Sequence, residues 1–246
     1  MTNYGFIGTG TIGKMLIERF LDEGILNHDN LRASNSEETN RDIIANSDIV
    51  YLCVKPQDLK EVYPDLRDSL EGKLLITTIV AVESNSYYQN LGDIELIRII
   101  PSITNRIKGT ILFNSGKFVK PTNKLKVCSD LSKIARVYDV PEEDLDDYTH
   151  LASCSPAIIS EFMRQYLQSI GRLDDTKGRE ILFDALSGTA DLLKQYEFNV
   201  IDQVCTKQGI SRVGVNFVSQ RFPVQELSNE LLARMNYIKK EFGGAK

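Results

Sequence analysis

The sequence has little of what most metal or redox chemistry needs. It contains two histidines and four cysteines. His28 and His150 are too few for a histidine-rich metal centre, and His28 sits in a turn-forming stretch, Asn27-His28-Asp29-Asn30, that predicts a solvated ring. Cys53, Cys128, Cys154 and Cys205 stand far apart, with neither a Cys-x-x-Cys pair nor metal-ligand spacing. Reduced, mostly buried thiols and no bound metal are therefore expected. No apolar run approaches the roughly 20 residues of a membrane span. There is also no excess of positive charge: the formal net charge is −5, which argues against nucleic acid or an anionic membrane as partner. A local basic pocket for a phosphorylated cofactor stays compatible with that balance. Internal repeats and low-complexity segments are absent. The N-terminus reads as a strand and a ligand loop, not as a signal peptide, so a cytoplasmic protein is expected.

What is present is the composition of a soluble globular protein, 42% hydrophobic and 26% charged over 246 residues. That length holds one large domain or two of ordinary size. The most informative stretch comes first. An apolar strand, Tyr4 to Ile7, runs into Gly8-Thr9-Gly10-Thr11-Ile12-Gly13, and a helix with apolar Ile12, Met15, Leu16 and Phe20 follows. This is the order a dinucleotide-binding fingerprint requires. Gly8 permits a tight turn, Gly10 lets a pyrophosphate approach the backbone, and Gly13 lets helix and strand pack closely. The helix N-terminus adds oriented N–H groups and positive dipole. The alternative is a glycine-rich turn in a fold that has lost its ligand.

The first half alternates strand-like and helix-like segments, the pattern of a parallel α/β sheet. Strands are expected near 3–8, 31–34, 48–54, 73–79, 95–100 and 109–114, and helices near 11–24, 58–69, 83–91 and 122–136. The run from Asp48 to Val54 is continuously apolar after its first residue, as in a strand covered on both faces. Lys55-Pro56 stops it. Only about a dozen residues separate the second strand from the third, room for one short helix between Glu37 and Asn46. A missing or shortened edge strand is predicted there. Beyond residue 146 the strand signal ends. Ile159, Phe162, Met163, Tyr166, Leu167 and Ile170 share one helical face. Ile181, Leu182, Ala185, Leu186, Thr189, Leu192 and Leu193 repeat the pattern, as do Leu227, Leu231, Met235 and Ile238. The expected architecture is an α/β Rossmann-type domain over 1–146 and an all-α domain over 147–246, whose apolar stripes suit either a core or a dimer interface.

Three further segments narrow the reading. They are Val54-Lys55-Pro56-Gln57, Arg98-Ile99-Ile100-Pro101-Ser102-Ile103-Thr104-Asn105 and Ser153-Cys154-Ser155-Pro156-Ala157. In this order and at these intervals the chain resembles the pyrroline-5-carboxylate reductase family over nearly its whole length, and within it the divergent late-competence branch, ComER. The resemblance implies a Rossmann domain, a helical domain that forms a homodimer (with higher assembly open), and an active site between one subunit's nicotinamide and the partner's helical domain. NAD(P)H would give hydride to a small cyclic imine carboxylate, the last step of proline synthesis. The family's Ser-Pro-Gly-Gly-x-Thr loop, which holds the substrate carboxylate, matches Thr206-Lys207-Gln208-Gly209-Ile210-Ser211. Both hydroxyl positions persist, while the proline and one glycine are replaced. Ser-Gly-Ser-Gly-Pro-Ala becomes Ala152-Ser153-Cys154-Ser155-Pro156-Ala157, Pro-Asn-Thr-Pro becomes Pro101-Ser102-Ile103-Thr104, and Ala-Gly after the strand near 77 becomes Val80-Ala81. Several of these changes add Cβ atoms where the family brings substrate or nicotinamide against backbone. They point also to an alternative: an altered substrate, or a non-catalytic competence protein that keeps dinucleotide binding.

Hydride transfer demands position more than any one acid or base. Ser211 is the first candidate for a hydroxyl on the imine or carboxylate, with Thr206 and the Gly209 backbone next; helix capping is the structural alternative for each. Arg106 could bind a carboxylate bidentately or simply face water, and Lys207 shares that ambiguity. Cys154, flanked by serines at an expected helix start, should have a lowered thiol pKa, but no base is recognisable near it. Glu161 reads as a solvated carboxylate. The cofactor contacts expected are Gly8 to Gly13, Ser34, Asn35 and Ser36 after the second strand, Val54, Lys55 and Pro56 after the third, and Val80 after the fourth. Arg32 to Ser36 lacks the acid that binds an NAD ribose, so NADP is favoured, with NAD possible and Arg41 within reach of a 2′-phosphate.

Overall fold

The computed structural model describes residues 2–33, 39–107, 109–206 and 209–243. In chain order the elements are β1 (Tyr4–Ile7), α1 (Thr11–Asp22), β2 (Leu31–Ala33), α2 (Asn40–Ala45), β3 (Ile49–Leu52), α3 (Leu59–Arg67), β4 (Leu74–Thr77), α4 (Ser84–Leu91), β5 (Glu95–Pro101), β6 (Thr110–Ser115), α5 (Pro121–Ile134) and β7 (Arg136–Asp139). Helices follow: α6 (Leu145–Thr149), a π turn (His150–Cys154), α7 (Ser155–Ser169), α8 (Thr176–Tyr196), α9 (Val200–Val204), α10 (Ile210–Arg221) and α11 (Val224–Phe242). The chain divides into two compact units, Met1–Pro156 with Leu231–Lys246, and Ala157–Glu230.

The first unit is built on one seven-stranded sheet in the order β2-β1-β3-β4-β5-β6-β7. The Rossmann-type α/β class is as expected, and so is its shortened edge. β3 pairs with the inner side of β1, which leaves the three residues of β2 as the edge strand. α2, six residues, fills the brief link, and a reciprocal Thr39–Asp42 capping box starts it. β1, β3 and β4 are buried at every residue. One face packs Phe6, Tyr51 and Ile97 against Met15, Leu16 and Phe20 of α1 and Val127 and Leu131 of α5. Phe6 stacks on Tyr51 with centroids 4.7 Å apart, and Phe20 meets Tyr51 edge-on at 5.7 Å. The other face packs Ile7, Val50, Leu52 and Leu75 against Ile43, Ile44, Leu59, Leu66 and Tyr87.

Two features differ from the expectation. β6 runs antiparallel to β5, because the connection between them is a single 3₁₀ turn, Ile103–Arg106, far too short for a parallel crossover. α5 ends at Ile134, two residues short of the expected 136, and β7 follows it where no strand is expected. It is four residues long and mostly exposed, so it carries no apolar alternation, and only pairing with β6 makes it a strand.

The second unit is helical and holds few buried side chains; Met163, Leu167, Val200 and Cys205 are among them. Neither α8 nor α10 has a buried residue. Phe162, Tyr166, Ile181, Val213 and Phe217, all apolar-stripe or neighbouring residues, are about half exposed or more. Such a surface is one that a partner normally covers. Among the described residues no helix is long and apolar enough to cross a membrane.

α8 ends at Glu197 with φ 52° and ψ −146°, a region essentially reserved for glycine. Its side chain is exposed, so removing it sacrifices no packing. Glu197→Gly should stabilise the protein by about 1 kcal/mol, read as a higher urea midpoint at unchanged m-value.

Candidate functional site

The strand order reverses at β1, which has β2 on one side and β3 on the other. In open α/β sheets that switch point opens a crevice beyond the carboxyl ends of the strands, where ligands bind. The Gly8–Gly13 loop lies there, beside the segment that leaves β3. Cys53 N–H donates to the Ile7 carbonyl at 2.7 Å, and Thr78 N–H to the Leu52 carbonyl at 3.0 Å. The ends of β1, β3 and β4 are thus stitched side by side.

The three glycines meet three different demands. Gly8 has φ +91°, and a Cβ there would lie 2.8 Å from the Cys53 carbonyl. A Cβ on Gly13 would fall on the Gly8 carbonyl oxygen and crowd the Cys53 Cβ. Gly10 is different: a Cβ there meets nothing within 4 Å. Packing thus explains Gly8 and Gly13, while Gly10 borders open space. Gly10 is the N-cap of α1, with no capping side chain and no acidic residue in the first turn. The leading N–H groups of a helix lack intrahelical acceptors, and here they face a position suited to an anion. Thr9 and Thr11 are exposed and Ile12 is half-buried against the core.

Val54 and Pro56 are half-buried and Lys55 is exposed, with Lys55 capping a 3₁₀ turn that starts at Pro56. Cys53, between them and the glycine loop, is a neutral thiol: burial pushes its pKa up to about 12, against a small pull from the Thr78 hydroxyl. Val80 packs on a cluster of Ile100, Leu112, Val140 and Leu145, and Ala152 packs on the same cluster. The next residue, Ala81, is buried at φ 58°. Ser153 Oγ donates to the Pro101 carbonyl at 3.4 Å. Three segments far apart in sequence (after β4, after β5 and in the π turn) are therefore brought together in the first unit. Ser102 and Asn105 are fully buried as a capping pair, with Ser102 N–H donating to Asn105 Oδ1 at 2.7 Å. Arg106 follows them and is exposed.

In the second unit Gly209 is the N-cap of α10, again with neither a capping side chain nor an acid in the first turn. A Cβ on Gly209 would lie 2.5 Å from Thr206 Oγ1, so a side chain there would have to displace that hydroxyl. Thr206 and Ser211 are both exposed. Ser34, Asn35, Ser36, Lys207 and Gln208 lie outside the described residues.

Several readings change. Arg41 is engaged elsewhere: Nε donates to Asp65 at 2.9 Å and Nη2 to Asp68 at 3.2 Å. Cys154 has a raised thiol pKa, not a lowered one, because burial outweighs any helix-start effect. It ends the π turn and runs directly into α7, so no free helix terminus faces it. Glu161 stays an exposed carboxylate as expected, its pKa lowered to about 2 by hydrogen bonds from Arg164 and then Gln165. Two contacts had no sequence signal. Arg98, 2% exposed, pairs with Glu142 at 2.7 Å, and His150 Nε2 lies 2.6 Å from Met235 Sδ.

The fold and loop together define a dinucleotide-binding Rossmann class. Residues 3–81 match the family described as NADP oxidoreductase coenzyme F420-dependent. The chain is 24% identical over 239 residues to ComE operon protein 4 of Bacillus subtilis, covering 86% of each chain. It is 28% identical over 174 residues to a pyrroline-5-carboxylate reductase of Methanosarcina acetivorans, covering 63% of this chain and 64% of that one. The NADP-bound crystal structure of Plasmodium falciparum pyrroline carboxylate reductase shares the fold, with a TM-score of 0.87 at 19% identity over 99% of this chain and 98% of that one. The resemblance to pyrroline-5-carboxylate reductases, and to their late-competence branch, is borne out.

The glycines separate packing from ligand approach. Gly13→Ala should cost about 2–3 kcal/mol of stability, seen in thermal or urea unfolding. Gly10→Ala should leave stability within about 0.5 kcal/mol, yet weaken dinucleotide binding at least about tenfold in a calorimetric titration, because the new methyl occupies the approach to the α1 N-terminus.

Proposed function

We propose that this protein is an NAD(P)H-dependent reductase of the pyrroline-5-carboxylate reductase kind, acting on the C=N bond of a small cyclic imine carboxylate. The observation that carries the reading is the Gly8–Gly13 cradle at the switch point, closed by packing at Gly8 and Gly13 and open at Gly10. That cradle fits a dinucleotide: its backbone N–H groups and the α1 N-terminus would hold the pyrophosphate. Val54, Lys55, Pro56 and Val80 would border the nicotinamide side. The bound cofactor supplies the hydride.

The chain's own residues bind and orient. Ser211, Thr206 and the Gly209 backbone, at the uncapped start of α10, would hold the substrate carboxylate and imine, and in the first unit Arg106 would offer a cation to a carboxylate. A cyclic imine can arrive already protonated, so no strong acid is required of the protein. NADP is preferred over NAD because no acid lies between Arg32 and Ser36 to bind a ribose 2′-hydroxyl. The uncovered apolar faces of α8 and α10 support a homodimer. We place the functional boundary at 146/147 and the protein in the cytoplasm.

A second reading has its own observation. Ala81 holds φ 58°, a conformation that favours glycine, where the family has one. Ser153 in the π turn and Ser155 at the start of α7 likewise carry side chains where the family has glycine. This favours a protein that keeps the dinucleotide but turns over a different imine, or none, as a competence-type function would allow.

Titrating the protein with NADPH and NADH, then assaying NADPH oxidation with 1-pyrroline-5-carboxylate, separates the two readings. Tight NADPH binding with turnover supports the first, and binding without turnover supports the second. If the first holds, Ser211→Ala should lower kcat/KM for the imine by about 10- to 100-fold, the worth of one hydrogen bond to a charged group, while NADPH affinity changes less than about twofold. An unchanged kcat/KM would remove Ser211 from the site.

A further inference from the structure

The last twelve residues of α11 belong to the first unit, and their contacts reach the loop after β4, the α6–π turn segment and α3. Lys239 Nζ is 3.2 Å from Glu83 and 2.6 Å from Asp146. Met235 is buried, with its sulfur against His150. Lys60 Nζ donates to the Glu241 carbonyl at 3.4 Å. Glu83 is the N-cap of α4 and closes the loop that leaves β4. That loop is tied at its start by Ile79 N–H to Thr77 Oγ1 and by Thr78 N–H to Leu52 O. Between the two ends it carries Val80 and the positive-φ Ala81. Asp146 lies on α6, and His150 opens the π turn that carries Ala152 to Cys154. One ammonium therefore bridges the ends of two segments that meet at the Ile100–Leu112 cluster. Partial burial works against that ammonium, yet Asp146 and Glu83 hold its pKa above the usual lysine value.

We propose that Lys239 is a positioning residue: through Glu83 and Asp146 it holds the β4–α4 loop and the π turn in register and so sets the wall against which the nicotinamide end of the dinucleotide lies. The inference rests on the dinucleotide reading above for its functional half. Its structural half, the clasp itself, stands apart from any ligand. A loop holding a non-glycine residue at positive φ must be over-determined by its surroundings, and at the far end from Thr77 Lys239 adds its pull on Glu83 to the bond from Ser84 N–H to Glu142 at 2.6 Å. Two partly exposed ion pairs have modest worth for overall stability. Their loss should therefore show locally.

The test compares wild type with Lys239→Ala, Lys239→Arg and Glu83→Gln by hydrogen–deuterium exchange on the cofactor-free protein and by NADPH titration. The proposal expects faster exchange in 79–83 and 146–154 in Lys239→Ala, with the rest of the sheet unchanged, and an NADPH Kd raised about fivefold. Lys239→Arg, which still reaches both carboxylates, should restore most of both, and Glu83→Gln should loosen 79–83 alone. Unchanged exchange in both segments overturns the proposal. So does a uniform rise across the whole sheet with NADPH affinity intact, because that is a stability effect without positioning. If wild type binds no NADPH, the dinucleotide reading falls, and the exchange comparison still decides whether the clasp exists.

Discussion

The first unit depends on the absence of clearance where β1, β3 and α1 meet. Gly8 lies against the Cys53 backbone, and α1 abuts the Gly8 carbonyl through Gly13. Only residues without a Cβ fit at those two points. That close approach pins the start of α1 beyond the end of β1 and aims its leading N–H groups into the switch-point crevice. It also half-buries Cys53 beside the glycine loop, where desolvation keeps the thiol neutral.

The two units bury their apolar surface differently. The sheet is covered on both faces, with α1 and α5 on one and α2, α3 and α4 on the other. The helical unit leaves large side chains of α7, α8 and α10 exposed. Burial is the main favourable term of folding, so a stripe such as Phe162 and Tyr166 left half in water is a surface still to be covered. The same periodicity that marks a core in the first unit leaves an exposed apolar face in the second.

Local patterns were readable and long-range partners were not. The glycine loop, the fully buried run of β3 and the shortened edge after β2 each express themselves within a few consecutive residues. β7 does not, because Arg136 to Asp139 is a strand only by virtue of its neighbour. Arg41 has a plausible reach in one dimension and two carboxylates holding it in three. Cys154 has the flanking residues of a reactive thiol and the burial of an inert one. Lys239 and Glu83 are separated by most of the chain and share an ion pair.

The sequence by itself determined the elements and the chemistry of the cradle, since helical and strand periods and the steric permissiveness of glycine act over short spans. It also carried the resemblance through the order and spacing of its motifs. Only the tertiary structure decided the antiparallel turn of β6, the meeting of Val80, Pro101 and Ala152–Ser153, and the return of α11 to the loop after β4. Those outcomes depend on which surfaces are buried together and which charges are left facing one another, and neither is defined until the chain has folded back on itself.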